Sequence, residues 1–260
     1  MLNKLFKYDF KWINKVMYIY FIILFIITIA VKIVENIDQT LLLVIVDKII
    51  SGMFIGCAIS TIITCVMRSW HRFVNNIYKD ESYLTHTLPV TKNQLFNSKI
   101  LAGITSLLIS SLVVAICFAF IYINKDTIES IKIMYQSLVE SYNGVFATGF
   151  IIGLILIVAL EIIFFLMAGI FGIVIGHIFN NMKILKSIIA GIASYFILSM
   201  ILLVIIAIIS KNIDFEIIGG FPTMNYIEIL GGTSLIIYIV YDLMYYFIAK
   251  KVFNKGVNVE

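Results

Sequence analysis

Two acids inside long apolar runs are the residues of this chain best placed to do chemistry. Glu161 stands in the stretch ALEIIF near the middle of one run, and Asp242 lies at least one turn inside the last run. An acid at the centre of a membrane helix costs at least about 2.5–3.5 kcal/mol, so its side chain should face protein or water. One interpretation is that both acids line a translocation path or couple proton movement. The alternative is a structural role, with each carboxyl held by a neighbouring helix or lying near an interface.

No catalytic or metal-binding motif accompanies these acids. The chain has no G-x-x-x-x-G-K-[ST] phosphate loop, no H-E-x-x-H and no G-x-S-x-G. Its three histidines are isolated in sequence, and its three cysteines fall in apolar runs without metal or disulfide spacing. We therefore predict no catalytic residue, no metal site and no cofactor bound by this chain itself, which argues against a membrane-embedded enzyme.

The composition predicts an all-α integral membrane protein. Of 260 residues, 62% are hydrophobic and only 13% are charged, whereas soluble domains carry about 25% charged residues. Six apolar runs reach the length of about 20 residues that a membrane helix needs. We expect a single transmembrane domain over residues 1–260, with spans at 16–35, 46–70, 92–123, 143–178, 187–210 and 231–250.

Basic residues alternate between the two sides of the predicted membrane. Most of the 19 occur in the N-terminal segment, the loops after the second and fourth spans, and the C-terminus. The positive-inside rule therefore places both termini in the cytoplasm. The net charge of +4 reflects this topology, and no basic patch interleaved with aromatic residues suggests nucleic-acid binding. We expect the spans to be surrounded by membrane lipid.

Three segments between the spans have features of their own. The N-terminus places apolar residues at helical spacing among four lysines, which predicts an amphipathic helix on the cytoplasmic leaflet before the first span. Residues 125–142 carry a stripe typical of an amphipathic surface helix. The glycine-rich stretch 211–232 fits short helices or re-entrant segments before the last span, which would need to be buried in protein.

Three glycine pairs have the G-x-x-x-G spacing that lets helices approach closely. They are Gly52/Gly56, Gly149/Gly153 and Gly172/Gly176. Because the pattern is common in membrane helices, we expect these pairs to pack within the molecule rather than to form a specific dimer contact.

The cytoplasmic loop DESYLTHTLPVTKNQLFNSKIL (residues 80–101) is the main polar interruption of the chain. Pro89 disfavours helix at the residue before it. Thr91 and Gln94 then form a Thr-x-x-Gln capping box, which predicts that the third span begins at about Lys92. The loop should thus contain a short element, a break and a defined helix start, an arrangement suited to docking outside the membrane.

Residues of this loop resemble the type-two ABC transporter permeases, the six-span membrane subunits of bacterial exporters, in their small Gram-positive form. The resemblance is carried by Glu81, by Tyr83-Leu84, by 87–91 (TLPVT) and by 94–101 (QLFNSKIL). The C-terminal 250–260 and the six-span layout agree with it. Ser82 departs from the glycine that often follows the acid in this family, so the turn there can differ.

The resemblance implies an ATP-driven exporter in the plasma membrane of a bacterium. The loop would form a coupling helix that binds a separate ATP-binding subunit, present in two copies, and ATP and Mg²⁺ would be bound by that partner. The functional unit would hold a second permease copy or a sister permease and would move an amphipathic peptide, drug or lipid-like substrate, such as an antimicrobial peptide. The implied ATPase-coupling residues are Asp80, Glu81, Tyr83, Leu84, His86 and Leu88.

A different class of function stays open on the residues alone. A proton-coupled or other non-ABC membrane carrier would use Glu161 in place of a partner ATPase. The sequence does not distinguish an export role from sensing or immunity, or a permease homodimer from a heterodimer.

Overall fold

Helices make up nearly all of the structure, a computed structural model that describes residues 1–37, 40–79, 81–87, 89–141, 144–211, 217–218, 221–222 and 224–256. Six of the helices in this described part are long and apolar enough to cross a membrane, which confirms the predicted helical membrane architecture. In chain order the helices are α1 (Leu2–Glu35), α2 (Leu41–Ile77), α3 (Ser82–Thr87), α4 (Lys92–Tyr122), α5 (Lys125–Ser141), α6 (Gly144–Gly176), α7 (Lys183–Lys211) and α8 (Met224–Lys255).

The chain divides into two compact units, Met1–Ile128 and Glu129–Glu260. In the first unit α1 packs against both α2 and α4, and α2 also packs against α4. Its apolar core includes Leu24, Phe54 and Cys117, with the rings of Phe54 and Phe118 in an edge contact at 4.8 Å. In the second unit α6 packs against both α7 and α8.

The N-terminal segment is part of α1, which runs without a break from Leu2 to Glu35. A separate amphipathic helix ending before residue 16 is therefore not seen. The buried side chains of this first part of α1 include Asp9, Ile13 and Asn14. The apolar spacing in the sequence did not predict this buried face, because Asp9 and Asn14 are polar. Their side chains find partners on other helices.

The predicted start of the third membrane helix is confirmed. The Thr91 hydroxyl accepts a hydrogen bond from the Gln94 amide at 3.3 Å, and the Gln94 side chain accepts one from the Thr91 amide at the same distance. This reciprocal cap satisfies two donors that would otherwise lack partners at the helix terminus. It fixes where α4 begins, directly after the loop that contains α3.

The segment before the last membrane helix differs in part from expectation. Its described residues form two antiparallel two-residue strands, β1 (Ile217–Ile218) and β2 (Phe221–Pro222). Residues 212–216, 219–220 and 223 of the predicted re-entrant region lie outside the described part. Gly231 and Gly232, expected to interrupt the chain there, are inside α8, because glycine is tolerated within membrane helices.

The predicted surface helix at 125–142 is present as α5. Leu138 of its apolar stripe is buried, whereas Ile128 and Ile131 are largely exposed. Tyr142, the last member of the stripe, lies outside the described residues.

Only one of the three glycine pairs packs closely within the molecule. A Cβ added at Gly172 would lie 2.5 Å from Gly191 Cα and from the Ser187 carbonyl oxygen, and Gly176 also faces Ser187. The other two pairs, Gly52/Gly56 and Gly149/Gly153, have nothing within 4 Å of an added Cβ. The expectation of internal packing is therefore right for the α6–α7 contact and wrong for the other pairs, since the spacing does not reveal whether a neighbour is present.

We expect Gly172→Ala to destabilise the second unit by about 1–3 kcal/mol, because the added methyl overlaps backbone atoms of α7. The matched control is Gly149→Ala on the same helix, where the methyl meets open space. Thermal unfolding of both purified variants in detergent measures the difference. Equal unfolding temperatures for the two variants would contradict the close α6–α7 contact.

Candidate functional site

A buried carboxylate near the start of α1 joins three helices of the first unit. Asp9 is 2% exposed. Its side chain accepts hydrogen bonds from Arg72 Nε of α2 at 2.8 Å and from Lys99 Nζ of α4 at 3.2 Å. The Ser98 hydroxyl donates a further bond at 3.2 Å. Burying a carboxylate is costly unless it is paired and hydrogen-bonded, and Asp9 meets both conditions.

Arg72 extends this group of contacts to the loop that carries α3. Arg72 Nε binds Asp9, and Arg72 Nη1 lies 2.7 Å from Glu81 Oε2. The Asn76 amide donates to the same Glu81 oxygen at 2.7 Å. Glu81 immediately precedes α3, and its carbonyl accepts the Thr85 amide at 3.0 Å. The fixed fork of the guanidinium lets one arginine hold two carboxylates at once. We call Asp9, Arg72, Lys99, Ser98, Glu81 and Asn76 the Asp9 network.

An aromatic residue of α1 covers this end of α2. The guanidinium carbon of Arg68 lies 3.7 Å from the centre of the Trp12 ring, and that of Arg72 lies 5.1 Å away. Arg68 also donates to the Trp12 carbonyl at 3.1 Å, and His71 stacks on the same ring at 5.9 Å. These cation–π contacts hold the α2 cations against α1.

The Asp9 network gives α3 a fixed position relative to the ends of α1, α2 and α4. The pairs of Asp9 with Arg72 and Lys99 are buried, and removing one partner of such a pair leaves an uncompensated charge and costs about 3–5 kcal/mol. The Glu81 side chain is 45% exposed, so the Arg72–Glu81 pair contributes less. A movement of α3 that keeps the Arg72–Glu81 pair intact must therefore carry α2 with it. Because Arg72 also binds Asp9, that movement reaches α1 as well.

The residues implied as ATPase contacts fall into distinct environments. Tyr83 and Leu84 of α3 are 77% and 68% exposed. The half-exposed Glu81 side chain bonds to Arg72 and Asn76, so in this structure it ties the start of α3 to α2. Asp80, Leu88 and the side chain of His86 lie outside the described residues.

The second unit brings its two membrane acids together with a group of tyrosines. The Tyr195 hydroxyl of α7 donates to Glu161 Oε1 of α6 at 2.7 Å. Tyr238 of α8 lies close to the same Glu161 carboxyl, and Asp242 follows Tyr238 by four positions, on the same face of α8. The ring of Phe164 lies at the centre of this group, 5.2–5.8 Å from four tyrosine rings. Those rings belong to Tyr195, Tyr238, Tyr241 and Tyr245.

Several polar atoms of this aromatic–acid cluster, which comprises Glu161, Asp242, Phe164 and the four tyrosines, have no partner. They include Glu161 Oε2, both carboxyl oxygens of Asp242 and the hydroxyls of Tyr241 and Tyr245, all buried and without a hydrogen bond to the described residues. A hydrogen bond to a neighbouring helix, the structural role considered for such acids, is thus met at one oxygen of Glu161 and at neither oxygen of Asp242. No group of three or more metal-ligating side chains occurs in the described part of the chain.

Sequence reasoning did not identify most of the Asp9 network. Asp9 is the sole acid among the first fifteen residues, which contain four lysines. A lone acid of this kind is a usable signal for a paired, buried role. Its partners Arg72 and Lys99 are separated from it by 63 and 90 positions, and nothing local in the sequence links them.

No protein-family model, curated protein or solved structure matches this chain. The likeness to the exporter permeases thus depends on the sequence features given above, and function must be argued from the two clusters.

We expect Asp9→Ala to destabilise the first unit by about 3–5 kcal/mol, since the Lys99 ammonium is left buried without its counter-charge. Arg72 keeps Glu81, so Lys99 is the main residue affected. The double variant Asp9→Ala/Lys99→Met should recover most of the loss. Unfolding midpoints of the single and double variants test this coupling, and a double variant that loses the sum of the two single effects would contradict it.

Proposed function

We propose that this chain is the membrane-spanning permease subunit of an ATP-driven ABC exporter, with ATP hydrolysis carried out by a separate subunit. The observation that carries this proposal is the presentation of α3. Its Tyr83 and Leu84 side chains are exposed, while Glu81 at its base is ion-paired to Arg72. An exposed apolar pair on a helix held rigidly from behind suits a docking element that must transmit force.

Transmission follows from the contacts around α3. An ATP-binding subunit that grips Tyr83 and Leu84 and then moves would displace α3. The Arg72–Glu81 pair would pass that displacement to α2, and the Arg72–Asp9 pair would pass it to α1. Because only four residues lie between α3 and α4 and Lys99 binds Asp9, α4 would respond too. The partner shifts the conformational equilibrium only through contacts that differ between its two states.

The assembly we propose contains two ATP-binding subunits and two permease halves, as a homodimer or with a sister permease, in a bacterial plasma membrane. ATP and Mg²⁺ would bind to the partner. The cargo would be amphipathic, as in the export of peptides, drugs or lipid-like molecules.

We expect Leu84→Asp to abolish the association of an ATPase, because a carboxylate on the exposed face cannot enter an apolar cleft without losing its hydration. The chain is purified from its native cells in mild detergent, and co-purifying vanadate-sensitive ATPase activity is measured. Glu81→Lys is a poorer test, because it would also break the bond to Arg72.

Met182→Asp is the matched control for this experiment. Met182 is 72% exposed and lies between α6 and α7, where its positive φ of 54° suits aspartate as well as methionine. ATPase activity that stays with Leu84→Asp at the wild-type level would contradict the proposed role of α3.

A proton-coupled carrier is the second candidate, favoured by Glu161 and Asp242 with their unpartnered oxygens. The two functions differ in their energy source, and export of ethidium, a fluorescent drug, from cells expressing the chain separates them. An ABC exporter should stop when ATP is depleted and continue when an uncoupler collapses the proton gradient. The reverse pattern, together with loss of export in Glu161→Gln, would favour the carrier.

A further inference from the structure

An open groove in the second unit runs along the seam between α6 and α8. It has a volume of about 450 Å³. Gly149 and Gly153 line it from α6, and Gly231 and Gly232 line it from α8. Each of these glycines has nothing within 4 Å of an added Cβ. Because these four glycines have no side chains, the space between the helices stays open. The α6 and α8 backbones do not approach each other closely at these positions.

The lining of the groove is apolar with a single charge. Apart from the glycines, it contains Phe146, Phe150, Leu154, Ile157, Ile227 and Leu235. Glu228 is its one charged lining residue in the described part of the chain, and it lies near the start of α8. An occupant would therefore be largely apolar and would meet negative charge only.

The groove continues toward the aromatic–acid cluster. Glu161 follows the lining residue Ile157 by four positions, which places it on the same face of α6, about 6 Å further along the axis. On α8, Tyr238 and Asp242 follow Leu235 by three and seven positions, the spacing of one helical face. The two acids thus lie on the helix faces that line the groove, beyond the residues that enclose it. We call the groove together with these acids the α6–α8 strip.

The end of this strip lacks a positive charge. Both oxygens of Asp242 and one oxygen of Glu161 are buried without a hydrogen-bond partner in the described residues. Tyr245, only 1% exposed, stacks on Phe164 with ring centres 5.5 Å apart. Both lysines in the first turn of α7 and the one in its last turn lie at the helix ends. On α8, Lys250 comes first after Asp242, eight positions or about 12 Å further along the axis, and its ammonium donates to the Tyr246 hydroxyl at 3.0 Å.

We propose that the α6–α8 strip binds a lipophilic organic cation, with its apolar part in the glycine-lined groove and its positive charge at Glu161 and Asp242. The carboxyls supply the counter-charge, and the faces of the Phe164 and tyrosine rings attract a cation that has lost its water. A neutral lipid tail would fill the groove but leave the acids unpaired. This site deepens the proposed exporter function by giving the cargo a charge class, and its binding can be measured without an ATPase.

The test measures binding of radiolabelled tetraphenylphosphonium to the full-length chain by equilibrium dialysis. Dodecyl maltoside is the detergent, because its head group carries no competing charge. Triphenylphosphine oxide, similar in its apolar rings but neutral, is the comparison ligand. We expect saturable binding of the cation and at least about tenfold weaker binding of the neutral compound.

Variants at the acids and in the groove separate the two parts of the site. Glu161→Gln and Asp242→Asn should each weaken tetraphenylphosphonium binding by about tenfold or more while the chain stays folded, since both changes keep the shape of the side chain. Gly153→Leu should weaken binding by filling the groove. Gly56→Leu on α2, also open to an added Cβ, is the matched control and should bind as the wild type does.

Three results would overturn the proposal. They are no saturable binding to the wild type, equal affinity for the neutral ligand, and unchanged affinity in the Glu161→Gln/Asp242→Asn double variant. Size-exclusion profiles and unfolding midpoints confirm that each variant is folded. Since no ATPase is present, failure of this test leaves the permease proposal standing, and loss of ATPase association in Leu84→Asp says nothing about the cation site.

Discussion

The buried charge of Asp9 is the constraint on which the first unit depends. A carboxylate that is 2% exposed among apolar helices is tolerated only with its counter-charges in place. Arg72 and Lys99 provide them from α2 and α4, so three helices must be in register before any one of them is well placed. The apolar packing around Leu24 and Phe54 buries surface between the helices, but it does little to fix how far one helix is shifted along another. The ionic contacts fix the relative heights of the helices and, through Glu81, the position of α3.

The second unit is organised on a different physical basis. Its α6–α7 contact depends on the missing side chains of Gly172 and Gly176, which let the α7 backbone at Ser187 approach closely. Without a strong hydrophobic drive between helices in lipid, such close van der Waals packing is a main source of association. Here neither membrane acid forms a salt bridge within the described residues of the unit. Glu161 accepts a hydrogen bond from Tyr195 and lies close to Tyr238, and Asp242 has no hydrogen-bond partner in the described residues.

This difference separates a mechanical role from a binding role. A neutralised, hydrogen-bonded ion network resists deformation, because any shift exposes an unpaired charge, and it therefore suits a part that transmits movement. A pair of carboxyls without a counter-charge, beside an open apolar groove, instead leaves an interaction to be completed by something else. The proposed docking of an ATPase at Tyr83 and Leu84 and the proposed cation at Glu161 and Asp242 assign these two roles within one chain.

The sequence by itself determined the features that depend on local chemistry. Apolar runs of bilayer length predicted six membrane helices, because a chain in lipid must satisfy its backbone within each segment. The Thr91–Gln94 box predicted the start of α4, because both of its hydrogen bonds join residues three positions apart. The tertiary structure alone decided that Asp9 is buried, that Gly149 and Gly153 face open space while Gly172 is packed, and that Glu161 is bonded by Tyr195 of another helix. Each of these depends on residues from separate helices, and neither helical periodicity nor motif spacing within one segment specifies which faces come together.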